Sequence, residues 1–237
     1  MSGRSPAGLL ICLTGLVVLA TPVAAQDVEP RALLPAPVGT NAIGAAFSGS
    51  FGNVLLDKTL PVEDLDGTIV GLAPSYTRYF NTFGLTTRLT AAVPLVTGSW
   101  DAVVNTDPVA PVDTTVDRTG FGDAVLNTTV FLVGAPAMTP QEFRDYRAKT
   151  VFGFNLRVKV PIGHYDPSKL VNLGSNRWQV APALALSQWI GNLSLEAYAL
   201  AWLFTDNDAL RGDHVLSHAP RYAFQVTGGY TCLRNLW

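Results

Sequence analysis

The sequence predicts an all-β fold, an antiparallel up-and-down transmembrane β-barrel. Three observations predict it. Hydrophobic residues make up 48% of the 237 residues and charged residues only 14%, against about 25% charged in soluble domains, and the mean hydropathy is +0.25. Past residue 25 no apolar run approaches the ~18 residues of a spanning helix. Instead, apolar and polar residues alternate in short segments, which is the period of a strand. In lipid only helices and closed barrels satisfy every backbone polar group.

Residues 1–25 have the form of a secretory signal. Arg4 supplies the positive n-region, Ala7 to Ala20 the apolar stretch, and Thr21-Pro22 ends it. Val23-Ala24-Ala25 then presents small residues, so cleavage is expected before Gln26. Cys12 leaves with that segment, and Cys232 alone can form no internal disulfide. Residues 26–40 are expected to be extended, and 41–237 to be the barrel domain.

Eight strands are expected. The clearest is 150–163, where Phe152, Phe154, Leu156, Val158, Val160 and Ile162 oppose Asn155, Arg157 and Lys159. In 41–51, Ile43, Ala45, Phe47 and Phe51 oppose small residues. In 85–95, Leu85, Leu89 and Val93 oppose Thr86, Arg88 and Thr90. In 122–132, Leu126, Val130 and Leu132 oppose Asp123, Asn127 and Thr129. In 193–203, Leu193, Leu195 and Leu203 oppose Ser194, Glu196 and Tyr198. Weaker patterns cover 68–79, 178–187 and 221–231.

Long and short connections alternate, as in outer-membrane barrels with long extracellular loops and short periplasmic turns. That order predicts a periplasmic N-terminus and outer loops at 53–67, 97–120, 164–177 and 205–220. The exception is 134–149. There Thr139-Pro140-Gln141-Glu142 carries a capping box with Pro at the first helical position, predicting a short periplasmic helix over 139–147. Aromatics near the strand ends suggest two interfacial girdles: Tyr79, Phe80, Phe83 and Trp189 on the periplasmic side, and Trp100, Tyr165, Trp178, Trp202 and Phe204 outside. A soluble periplasmic barrel would show the same alternation with its apolar face inward.

The composition also excludes some classes. A disordered chain needs low hydrophobicity. A net charge of −2, with 16 Lys+Arg against 18 Asp+Glu, argues against a nucleic-acid partner.

Several stretches resemble the MetA-pathway of phenol degradation family, treated as outer-membrane β-barrel transporters. They are Ala36-Pro37-Val38-Gly39-Thr40-Asn41, Gly120-Phe121-Gly122-Asp123, Gly134-Ala135-Pro136-Ala137, Gly163-His164-Tyr165-Asp166-Pro167, Leu173-Gly174-Ser175-Asn176-Arg177-Trp178 and Phe204-Thr205-Asp206-Asn207-Asp208. The resemblance implies uptake of aromatic or other apolar small molecules. Similar proteins continue for several strands after a segment like Arg234-Asn235-Leu236-Trp237, so a fragment of a larger barrel is expected, against the alternative of a complete eight-strand one.

On this reading Arg88, Asp123, Asn127, Asn155, Arg157, Lys159 and Glu196 face one lumen, with Asp123 near Lys159 and Asn127 near Arg157. They form either a solute-selecting eyelet or a structural network filling a narrow barrel. Asp206, Asn207, Asp208 and Asp213 are a weak candidate for a hard cation, though Asn and Asp are ordinary turn residues. His164, His214 and His218 lie in outer loops without a nucleophile and orienting group, so neither an enzyme nor a cofactor is expected. The expected partners are outer-membrane lipid, a small solute and the barrel-assembly machinery. The expected location is the outer membrane, with a passive channel, a non-transporting surface barrel and a soluble binding barrel as the competing functions.

Overall fold

The structure, a computed structural model, describes residues 33–53, 62–104, 112–169, 171–210, 212 and 214–231. The expected signal segment, Asp213, Cys232 and the segment from Arg234 to Trp237 lie outside them. The strands are β1 (Asn41–Asn53), β2 (Val62–Thr82), β3 (Leu85–Ala92), β4 (Leu95–Val104), β5 (Val112–Phe121), β6 (Ala124–Val133), β7 (Thr150–Val160), β8 (Gln179–Ile190), β9 (Leu193–Phe204), β10 (Asn207–Leu210), β11 (His214–Leu216) and β12 (Arg221–Tyr230). Among the described residues one helix, α1, spans Pro140–Asp145. No helix among the described residues is long and apolar enough to cross a membrane.

The main sheet is an antiparallel meander. β1 pairs β2, and β2 pairs β3 and β4 along its other edge in one register, from Thr82↔Leu85 to Leu72↔Leu95. β3 and β4 are therefore one pass interrupted at Val93-Pro94. β5 and β6 are likewise one pass interrupted at Gly122-Asp123, pairing β4 and β3 respectively. β7, β8, β9 and β12 follow in order. The chain thus makes the eight passes its alternation predicts. Among the described residues β1 and β12 each pair on one side only, and the sheet is a curled half-barrel.

The two faces follow the parity read from the sequence. Exposed apolar side chains point outward: Ile43 at 89% exposure, Phe47 at 76%, Leu89, Leu126, Leu184, Leu195 and Tyr222 at 77%. Polar and small side chains point inward, together with larger buried ones such as Phe131, Val151 and Tyr198. Such an outer face is of the kind that hydrocarbon, rather than water, would cover.

The expected loops are shorter than predicted. β2 begins at Val62, so the 53–67 connection is largely strand, and 97–120 is a β-hairpin formed by β4 and β5. The reason is chemical. The outward positions there are polar, with Thr97 hydrogen-bonded to Thr119 at 2.7 Å and Thr115 donating to Asp101 at 2.6 Å, so the apolar alternation that marks a lipid-facing strand is missing. β2 has 21 residues, roughly 70 Å at strand rise, whereas a tilted membrane strand needs about 9–11 residues. β2, and the passes that β4 and β5 complete, are therefore longer than a span of that kind, and their far ends would extend beyond it. The 205–220 connection holds the β10–β11 ribbon. α1 stops at Asp145, short of Arg147, where Tyr146 takes an extended conformation. Its capping box is as expected: the Thr139 N–H donates to Glu142 Oε2 at 2.7 Å, which holds the Glu142 carboxyl below its usual pKa of 4.5.

The girdles are corrected in part. Trp178 and Phe83 are exposed, but Trp100 is buried on the inner face over Gly98. Tyr79, Trp202 and Phe204 also turn inward, and Tyr165 is tied to β10, its hydroxyl donating to Ala209 O. Position at a strand end sets depth, whereas parity sets the face.

Candidate functional site

The concave face has three levels. At the end with the short turns, Leu33, Phe131, Ala135, Val151, Ala185 and Tyr198 form a buried cluster flanked by Tyr79, Tyr146 and Leu200. The segment expected to be extended supplies Leu33 and is stitched down beyond it: the Val38 N–H donates to Met138 O at 2.8 Å and the Gly39 N–H to Tyr79 O at 2.9 Å. Gly153 leaves room for the Leu33 side chain, which a Cβ there would crowd. The expected lumen residue Glu196 belongs to this floor. It is buried, accepting from Ser187 Oγ at 3.3 Å and from Tyr198 Oη at 3.0 Å, and it lies outside the cavity lining.

Above the floor is a cavity of about 530 Å³. Arg88, Asn127, Asn155 and Arg157 line it, and so do Ser75, Thr90, Leu200 and Trp202. Asn127 is the register partner of Arg157, as antiparallel pairing predicted. Asn155 Nδ2 donates to Asn127 Oδ1 at 2.5 Å and to Thr129 Oγ1 at 2.8 Å, and Arg88 Nη2 donates to Thr129 Oγ1 at 3.1 Å. These bonds hold a polar belt across β3, β6 and β7. The Arg157 side chain has neither a carboxylate nor a hydrogen-bond partner among the described residues.

The mouth is held by Asp123. Its carboxylate accepts from the Gly163 N–H at 3.0 Å, the Ser175 N–H at 2.9 Å and Ser175 Oγ at 2.5 Å, and pairs with Lys159 Nζ at 3.4 Å. The predicted Asp123–Lys159 proximity is present, but it latches the 161–178 segment to the strand break, and neither residue lines the cavity. Gly122, Gly163 and Gly174 touch backbone to backbone beneath this latch.

Beside it, two guanidinium groups share one ring. Arg177 Cζ lies 5.0 Å and Arg221 Cζ 5.7 Å from the Phe204 centroid, and the His218 ring is 5.7 Å from it. Arg177 Nη1 is 2.5 Å from His218 Nδ1. Arg can only donate, so Nδ1 accepts, and the imidazole in this contact is neutral with its proton on Nε2. Partial desolvation, then the charges of Arg177 and Arg221, hold the His218 pKa below 6.5. Desolvation and the Arg221 charge also lower that of Arg177.

The sequence matches the family described as "Putative MetA-pathway of phenol degradation" over residues 45–236. The chain belongs to that family. No curated protein sequence matches it. Among solved structures it is similar to an outer-membrane channel from Pseudomonas putida F1, with a TM-score of 0.60 and 19% identity over 86% of this chain and 71% of that one. At that identity the likeness is one of fold.

The stretches that resemble the family converge in space. Val38 and Gly39 meet Tyr79 and Met138 at the floor, where the Ala137 N–H donates to Gly84 O and Thr86 Oγ1 to Pro136 O. Asp123, Gly163 and Ser175 meet at the mouth, where Asn207 bonds both Tyr165 Oη and Asn176. Asn207 is thereby spent on structure. Asp206 and Asp208 are exposed beside it, and no group of three metal-binding side chains occurs among the described residues. Sequence reasoning missed Trp202, Leu200 and Phe204 as inner-face residues. Their even positions on β9, in step with Glu196 and Tyr198, were the available signal.

Proposed function

We propose that this chain forms the wall of a passive outer-membrane channel for small solutes with aromatic or apolar bodies. The observation that carries the reading is the division of faces: large apolar side chains exposed on the convex side, and a polar belt around a 530 Å³ cavity on the concave side. A soluble binding barrel would need the opposite. The volume suits a small-molecule site of about 300–1,000 Å³, and Trp202 and Tyr198 share its lining with Arg88 and Arg157. The family membership and the shared fold support the reading, and the alternating turns and the N-terminal segment at one end support a periplasmic floor.

The test is recovery and flux. The full chain should fractionate with the outer membrane, migrate differently in SDS before and after boiling, and pass small aromatic solutes in proteoliposomes. Arg157→Ala should change charge selectivity about fivefold, from a Coulomb term of about 1 kcal/mol at ~4 Å in water. Recovery in the soluble periplasm defeats the reading. The packed floor, with Phe131 and Val151 fully buried, favours one rival, a non-transporting surface barrel; a folded, membrane-inserted protein with no flux would establish it.

A further inference from the structure

We infer that the mouth carries a recognition site for a small organic anion with an aromatic body, formed by Arg177, Arg221 and His218 around Phe204. The inference deepens the channel reading by naming a solute class, and it rests on that reading only for the direction in which the solute moves.

Charge is the first argument. A single cation over a ring is ordinary packing. Two guanidiniums within 6 Å of one ring centroid repel each other, and the described residues place no carboxylate within ion-pair distance of either. His218 supplies no negative charge; its Nδ1 accepts from Arg177 and its Nε2–H is a further donor. Three donor groups thus converge without a counter-charge among the described residues. A carboxylate is the complement, because the planar guanidinium fork matches its two oxygens.

Direction is the second argument. Arg221 is the register partner of Trp202, which lines the cavity. Phe204 lies two residues further along the same face of β9, about 7 Å away at strand rise. The donors therefore face the lumen and open onto a ring-lined path, so a solute anchored by its carboxylate at Arg177 and Arg221 lays its ring towards Trp202. Below it the inner face continues with Arg157 and Arg88, while Asp123 and Glu196 are both engaged by hydroxyl or N–H donors. Among the described residues the inner face from Phe204 to Arg88 thus favours an anion.

The test is benzoate binding to the purified, folded full chain in detergent, read by tryptophan fluorescence and calorimetry, with benzyl alcohol, benzylammonium and acetate as probes. Benzoate should bind more tightly than all three. Arg177→Gln and Arg221→Gln should each weaken it about tenfold, the scale of a charged hydrogen bond, and Arg221→Glu should turn the preference towards benzylammonium. Boiling-dependent migration certifies the fold of each variant. If Arg177→Gln fails that check, Arg221→Gln, at an exposed strand end, carries the result. Equal binding of benzoate and benzyl alcohol, no benzoate binding, or unchanged affinity in folded variants overturns the inference. Flux separates the two readings: neutral-solute flux without benzoate binding defeats the anion site alone, and benzoate binding without flux defeats the channel alone.

Discussion

Replacing Asp123 by Ala should release the mouth. The carboxylate side chain is fully buried, whereas that of its partner Lys159 is 35% exposed. Three donors converge on it, two of them backbone N–H groups of the 161–178 segment. Each hydrogen bond to a charged group contributes about 1.5–3 kcal/mol, and the donors left behind lie in a glycine contact too tight to turn towards water. Breaking a buried charge cluster of this kind costs about 3–5 kcal/mol. Lys159→Gln removes only the exposed partner and leaves all three donors in place, so its cost stays near 0–1 kcal/mol. The assay is urea unfolding of the folded protein in lipid vesicles, with limited trypsinolysis reporting cleavage at Lys169 and Arg177. Asp123→Ala should lower stability by the larger amount and open both sites. Equal losses for the two variants, or an Asp123→Ala protein with an intact, protease-resistant mouth, would refute the latch.

Leu33→Ala should cost about 2–4 kcal/mol as a core truncation and raise solute flux by loosening the floor; flux unchanged in a folded variant would show that the barrier lies elsewhere. Gly163→Ala should lower stability by about 1–3 kcal/mol through overpacking, since its Cβ would sit 2.7–2.8 Å from Gly122 C, Asp123 N and Gly174 Cα; a wild-type unfolding midpoint contradicts that contact. The Asp166 carboxyl accepts from the Ser168 hydroxyl at 2.6 Å and its N–H at 2.9 Å, which with Lys169 lower its pKa from 3.8 to about 2. Its contribution to loop order is therefore complete above pH 3.8 and is lost as pH falls through about 2. Titration by carboxyl NMR should give the lower value, and Ser168→Ala, which removes the largest cause, should move it back towards 3.8.

The sequence showed the faces better than the lengths. Along most of the sheet apolar residues recur at every second outward position and write a period that the order of residues shows, and the Asn127–Arg157 and Asp123–Lys159 neighbours followed from it. β4 and β5 were illegible because neither of their faces need be apolar beyond the bilayer; Thr97, Thr119, Asp101 and Thr115 pair as well in water. The roles of Asp123 and Glu196 were also hidden. Parity puts both inside, but only the loop from Gly163 to Ser175 and the packing around Tyr198 make them structural. The mouth cluster gathers Arg177, Phe204, His218 and Arg221 from four segments, and no local spacing announces it.

The edge strands bear on the membrane reading in a way that the cavity does not. A soluble sheet protects an edge with charges, proline or a bulge. β1, with sequence NAIGAAFSGSFGN, has none of these charges or prolines, and β12 carries only Arg221 at its start. Both instead repeat the pattern of the interior strands, with Ile43, Phe47 and Phe51 or Tyr222, Phe224 and Val226 outward, and small or polar residues inward. In hydrocarbon each unpaired backbone group would cost several kcal/mol, so such strands suit a bilayer only when both edges are paired. Pairing them with each other would close eight strands into a ring whose interior is filled by side chains or holds one small ligand. An open path past Arg88, Arg157 and Trp202 would need a wider ring, with each edge paired to something other than the opposite edge of the same sheet.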